Sequence, residues 1–247
     1  MDSQMTLKSI AENSLRHSPL LFKWASKAYH AFNPSFRTLS EGTPEAIQKS
    51  FQYIQSAKLP LFGDYYEFGL FRGYTFLKAY QYSQELDVNN VNFYGFDSFQ
   101  GLPAVNGVDR HDGRFYEGQF SCAKKSVIKH LKNHGMDMHK AHLIEGYYED
   151  SLTAQLKTQY DFKPALVVLL DCDLYSSTQE VLAWMDSYLQ NGTILLFDDW
   201  FSFGDDQSLG QQKALAEFLL TRPNYQVEHL WRFSKHGNAF VLKIADK

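Results

Sequence analysis

Four carboxylates sit where two apolar runs stop. The run from Ala165 to Leu170 ends in Asp171 and, one residue further, Asp173; the run from Thr193 to Phe197 ends in Asp198 and Asp199. Clustered like charges repel unless something positive lies among them. Oxygen donors favour a hard divalent cation, most simply Mg2+. The competing reading is that Asp past a strand caps the next helix, and Asp173 stands just before a helical pattern starting at Tyr175. Two strands that both end in acid favour the ion site, with Asp171, Asp198 and Asp199 as its ligands.

That site needs elements to build it. A helical pattern from Tyr175 to just before Asn191-Gly192 joins the two runs, giving strand, crossover helix and strand. Strands so joined are parallel, so their carboxyl ends share one sheet edge, where open α/β sheets bind ligands. An earlier unit points to the same edge. Asp64 to Phe68 reads as a strand, followed by Glu67-Phe-Gly69-Leu-Phe-Arg72-Gly73-Tyr-Thr75 and a helix from Tyr74 to Glu85. Gly69 and Gly73 let backbone approach a ligand at the turn, and a helix amino end attracts carboxylate or phosphate. The next strand, Val91 to Phe96, ends in Asp97, which is placed to accept hydrogen bonds from ribose hydroxyls. The glycines do not form G-x-G-x-x-G, and Gly at a helix entry is often only structural. Nucleoside binding and a plain turn both stay open on these residues alone.

The rest of the chain fits one α/β domain. Ser98 to Gln119 is a long polar loop of the kind that forms lids. A helix is expected over Cys122 to Asn133, a strand over Ala141 to Ile144, a short helix before Ala165, and a helix over Gln207 to Leu220. Tyr225 to Arg232 and Ala239 to Ile244 read as a hairpin around Ser234-Lys-His-Gly237-Asn. The expected fold is α/β: a doubly wound, Rossmann-like sheet, mostly parallel, with one antiparallel strand in a C-terminal hairpin. Residues 1–58 read as a helical extension and 59–247 as the main domain; Thr43-Pro44-Glu45 reads as a capped helix start, running to about Ala57. The extension is expected to pack on the domain or to build a homodimer.

Bulk properties exclude several classes. The 247 residues are 44% hydrophobic, with 28 acidic against 24 basic residues, so no basic footprint for nucleic acid is present. No run of 18 apolar residues suggests a membrane span, and the amino-terminal residues lack the order of a secretory signal. Two cysteines, Cys122 and Cys172, suit a reduced, cytoplasmic setting. His111, His130, His134, His139 and His142 lack metal-ligand spacing and read as surface residues.

Four motifs occur in order: EFGLFRGYT at Glu67 to Thr75, GFDSFQGLP at Gly95 to Pro103, IEGYYEDSL at Ile144 to Leu152, and LLDCDLYSST with FDDW at Leu169 to Trp200. Together they resemble the macrocin O-methyltransferase family, within the class I S-adenosylmethionine-dependent methyltransferases; the first and last also resemble catechol O-methyltransferase. The resemblance implies a Mg2+-dependent enzyme methylating a hydroxyl of a sugar or glycosylated natural product. It implies that Glu67, Gly69, Gly73 and Thr75 line the methionine end of the cofactor. Asp97 would hold the ribose beside Ser98, and Gly146, Tyr147 and Tyr148 would flank the adenine. Asp171, Asp198 and Asp199 would ligate the metal, and Asp173 would be the general base. Cys172 stands where the family usually has Gly, and reads as a small buried filler.

Two other readings compete. A non-catalytic nucleotide-binding protein would share the fold. A haloacid-type Mg2+ phosphatase would use Asp171-Cys-Asp173, but it needs a Lys after that motif, and Pro164 through Gln212 contains neither Lys nor Arg.

Overall fold

The computed structural model describes residues 42–57, 59, 62–88, 90–110 and 113–245. Seven strands form one sheet in the order β3-β2-β1-β4-β5-β7-β6. They are β1 (Asp64–Phe68), β2 (Phe93–Asp97), β3 (Ala141–Glu145), β4 (Ala165–Leu170), β5 (Ile194–Phe197), β6 (Tyr225–Phe233) and β7 (Gly237–Ile244). The first five pair in parallel, whereas β7 runs antiparallel to both β5 and β6. The single reversed strand of the C-terminal hairpin is therefore as expected. The chain winds outward from β1 in one direction and from β4 in the other. The β1/β4 junction is thus a topological switch point.

The helices are α1 (Thr43–Ser56), α2 (Tyr74–Glu85), α3 (Lys124–Asn133), α4 (Tyr148–Ser151), α5 (Leu156–Gln159), α6 (Tyr175–Met185) and α7 (Gly210–Leu220). Every residue of β1, β2, β4 and β5 is buried. Strands covered on both faces read as continuous apolar runs, which is why β4 and β5 are clear in the sequence. Alternation then divides the core. Tyr65, Val167 and Leu169 join α1, α2 and α3 on one face, whereas Tyr66, Val168 and Leu170 join α6 and α7 on the other.

Some boundaries differ from the sequence reading. β2 starts at Phe93, not Val91, and α7 starts at Gly210, not Gln207. α6 stops at Met185; the apolar pattern continues to Leu189 through a turn in which the Leu189 amide bonds Met185 O at 3.1 Å. Thr43 does not cap α1: Gly42, with φ 98°, holds the cap position and no side-chain cap bond forms. Of the expected extension, α1 sends Ala46, Ile47, Phe51 and Ile54 into the core. Residues 1–41 and the dimer they were expected to build lie outside the described residues. His142 is half-buried, with its ring stacked on Tyr94 at 4.8 Å. His111 lies outside the described residues. Among those residues, no helix is long and apolar enough to cross a membrane.

Candidate active site

The tips of β1, β2, β4 and β5 open into one cavity of about 900 Å³, a size suited to a small ligand and its partner. Its wall includes Gly69, Thr75, Asp97, Ser98, Gly146, Tyr147, Tyr148, Asp171, Asp173, Asp198 and Asp199. Glu67 and Gly73, both expected to touch the cofactor, are not part of the lining.

On the β1/β2 side the backbone is tied down by acids. The Asp97 carboxylate accepts the amides of Leu70 and Phe71 through Oδ2, at 2.8 and 2.9 Å, and that of Phe99 through Oδ1 at 2.6 Å. Three of its roughly four acceptor positions are thus filled. Asp97 organises the turn before α2 while still facing the cavity. Burial raises its pKa in spite of these three bonds. A Cβ on Gly69, at φ 96°, would lie 1.7 Å from the carbonyl oxygen of Asp171, so only Gly lets β1 and β4 close here. Glu67 is fully buried behind the wall. Tyr65 and Thr75 donate their hydroxyls to its two oxygens, both at 2.6 Å. Desolvation pushes its pKa up to about 8 against the lowering effect of those bonds.

On the β4/β5 side the ladder extends past the strand ends. The Asp171 amide bonds Phe68 O at 2.9 Å and the Asp198 amide bonds Leu170 O at 3.1 Å, so the two tips stand side by side. Gln211 of α7, which the sequence reading missed, clasps both. Its amide donates to Leu170 O and its oxygen accepts the Asp199 amide, each at 3.0 Å. Asp199 also accepts from Ser202 Oγ at 3.1 Å and from the Asp173 amide at 3.1 Å. Thr43 donates to Asp198 Oδ1 at 2.6 Å across 155 residues. Asp173 holds φ 61°, a conformation strained for a residue with a Cβ. It does not cap α6. Asp109, in a short 3₁₀ turn of the lid, takes that role, accepting the amides of Tyr175 at 2.6 Å and Ser176 at 3.2 Å. Arg114 donates to Ser202 O and stacks on Phe203, tying the lid to the loop after β5. Cys172 is buried with its sulfur 3.5 Å from Thr178 Oγ1, as expected of a filler. The β6–β7 turn, Ser234 to His236, adds a cavity edge that no motif announced.

The four acids crowd like charge together at one sheet edge. Desolvation, then the neighbouring aspartates, pushes Asp171 and Asp173 well above the usual carboxylate range. The same causes bring Asp199 to about 7, despite its bonds to Ser202 and Asp173 and the nearby charge of Arg114. Such a set suits a hard divalent cation chemically. Among the described residues, however, no three His, Cys, Asp or Glu side chains stand in metal-holding positions.

A profile of the macrocin-O-methyltransferase (TylF) family matches residues 44–217. The chain belongs to this family. It is an S-adenosylmethionine-dependent O-methyltransferase, which sets aside the phosphatase and non-catalytic readings. No curated protein sequence matches significantly. Among solved structures, the O-methyltransferase NovP superposes with TM-score 0.67 at 19% identity, covering 82% of this chain and 79% of its own. CalS11, a calicheamicin methyltransferase, superposes with TM-score 0.65 at 21% identity, covering 97% and 87%. A second CalS11 structure, described as a TDP-rhamnose 3′-O-methyltransferase, gives 0.56 at 18%, covering 97% and 88%. At these identities the likeness shows the fold, and the family match carries the activity.

Proposed function

We propose that this methyltransferase methylates a hydroxyl of a sugar-bearing small molecule, with a divalent cation, most simply Mg2+, at Asp171, Asp198 and Asp199. The observation that carries this is the single cavity lined by both the Gly69–Asp97–Tyr148 wall and the four acids. The first wall suits S-adenosylmethionine. The Gly69 turn and the Asp97-tethered backbone would hold its amino-acid and ribose parts, and Tyr147 and Tyr148 would flank its base. The sulfonium supplies an activated methyl group, so the protein's remaining work lies in the acceptor hydroxyl. When bound, the cation supplies Lewis acidity and orientation for that oxygen.

Asp173 is the proposed general base. It lies beside the would-be ligands on the cavity wall, where desolvation and the neighbouring aspartates raise its pKa and so favour its taking a proton. Its strained backbone supports this, because strain at a cavity wall persists where function holds it. The loop from Ser98 to Gln119, pinned at Asp109 and Arg114, would act as a lid that keeps water from the acids. The sugar class rests on the family match and on the kinship with CalS11.

The test is an acceptor screen opened with TDP-rhamnose, with and without EDTA. Methyl transfer should vanish with EDTA and return with Mg2+. Asp173→Asn should cut kcat by a factor of about 10² or more, the scale of general-base catalysis. Turnover indifferent to EDTA removes the cation from the reading, and near-normal turnover in Asp173→Asn removes the base.

A further inference from the structure

The β6–β7 turn reaches the cavity through Ser234, Lys235 and His236, and the chemistry proposed above leaves them without a role. The turn is fixed locally. Ser234 holds φ 50°, and its hydroxyl oxygen accepts the amides of His236 at 3.3 Å and Gly237 at 2.9 Å. His236 is then clamped to the loop after β5 by two bonds to one residue. Its carbonyl accepts the Phe201 amide at 2.8 Å, and its ring Nδ1 lies 3.1 Å from Phe201 O. From β6, the Arg232 guanidinium covers the Phe201 ring at 4.0 Å from the centroid. The next residue of that loop, Ser202, donates its hydroxyl to Asp199. His236 therefore belongs to the acid side of the cavity, away from the Gly69 wall.

A carbonyl oxygen can only accept, so the bond to Phe201 O puts the ring proton on Nδ1. In the neutral ring, Nε2 then keeps its lone pair. His236 is half-buried, and among the described residues Nε2 has no hydrogen-bond partner. We propose that His236 is an acceptor-binding residue, whose Nε2 takes a hydrogen bond from a second hydroxyl of the acceptor while the first is methylated. A lone pair selects a donor, and the acids on the far side of Phe201 disfavour an anion in that place. An imidazole held at one nitrogen is also pre-organised to read a single position of its ligand. His236 lies beyond residue 217, where the match to the family profile ends. The inference rests on the sugar reading above and narrows it: the acceptor carries at least two hydroxyls, one over the acids and one within reach of the β6–β7 turn.

The experiment uses the full chain with S-adenosylmethionine and Mg2+, and TDP-rhamnose as acceptor beside analogues that each lack one ring hydroxyl. Wild type is compared with His236→Asn, whose amide keeps a donor near the Nδ1 position and has nothing at Nε2, and with His236→Gln, whose longer amide reaches the Nε2 position. Wild type should lose about tenfold in kcat/KM on one analogue, the scale of a lost hydrogen bond. His236→Asn should raise KM for TDP-rhamnose about tenfold with kcat within about threefold, the pattern of lost binding rather than lost chemistry. It should also cease to distinguish that analogue from TDP-rhamnose, because the two changes remove the same contact. His236→Gln should recover part of both. Nitrogen-15 spectra of histidine-labelled wild type at pH 8 keep the test open if a variant fails to fold. Nε2 of His236 should resonate as the unprotonated nitrogen and shift when TDP-rhamnose is added with S-adenosylhomocysteine. A proton on Nε2, an Nε2 signal unmoved by bound TDP-rhamnose, or a His236→Asn enzyme that still discriminates like wild type overturns the inference and leaves the sugar reading standing. Wild type that neither methylates nor binds TDP-rhamnose overturns the sugar reading, and the inference with it.

Discussion

Glu67 is a carboxyl group sealed behind the cavity wall, and its chemistry follows from that position. Both oxygens already accept hydroxyl hydrogen bonds, yet burial still holds its pKa near 8. The folded protein therefore keeps a proton there that the unfolded chain releases near pH 4.5. Between these values the native state binds more protons than the unfolded state, so stability falls as pH rises. One such group contributes a slope of up to about 1.4 kcal/mol per pH unit. Glu67→Gln keeps the shape and cannot titrate. Urea denaturation at pH 5 and pH 8.5 should show wild type losing more stability than the variant over that span. Parallel losses would mean that Glu67 keeps an ordinary pKa. Asp97 shows a related lesson. Its type and place at a strand end suggested ribose binding, and its three backbone amides give it a structural task that sequence spacing does not reveal.

At the scale of elements, the lid and α6 are joined by one side chain. Asp109 caps α6 across 66 residues, and α6 follows directly from the strained turn at Asp173. Two amides at a helix start that lose their acceptor cost about 1 kcal/mol, and the first turn should fray. Asp109→Ala should therefore speed amide hydrogen exchange at Tyr175 and Ser176 while leaving β4 protected. Asp109→Asn, a good cap, should restore most of the protection. Unchanged exchange in Asp109→Ala would show that the contact is absent in solution. This bond also marks the limit of what the sequence discloses. Ala165–Leu170 and Ile194–Phe197 were readable with their acidic ends because doubly covered strands are apolar throughout. Period-2 and period-3.6 patterns are local signals. Asp109, Gln211, Thr43 and the Ser234 to His236 turn reach the site from remote elements, and no local pattern records a partner so far along the chain.

The whole molecule combines these terms into one balance. The same sheet edge gathers Asp171, Asp173, Asp198 and Asp199, so the fold carries a concentration of charge that works against its own stability. The carboxylates with raised pKa relieve that strain by holding protons at low pH, and a bound divalent cation would relieve it at high pH. Protons and cation compete for the same oxygens. A ligand that binds only the folded state raises stability by RT ln(1 + [L]/Kd). If Mg2+ occupies this cluster, its apparent Kd must tighten as the acids ionise, and Asp199, near 7, sets the middle of the range. Millimolar Mg2+ should therefore raise the melting temperature more at pH 8 than at pH 6. Asp171→Asn should abolish that pH dependence. S-adenosylmethionine, proposed to meet mainly the opposite wall, should shift the melting temperature at both pH values and serves as the internal control. An equal Mg2+ effect at pH 6 and pH 8, or one that survives in Asp171→Asn, would show the ion binding elsewhere on a protein with net charge -4.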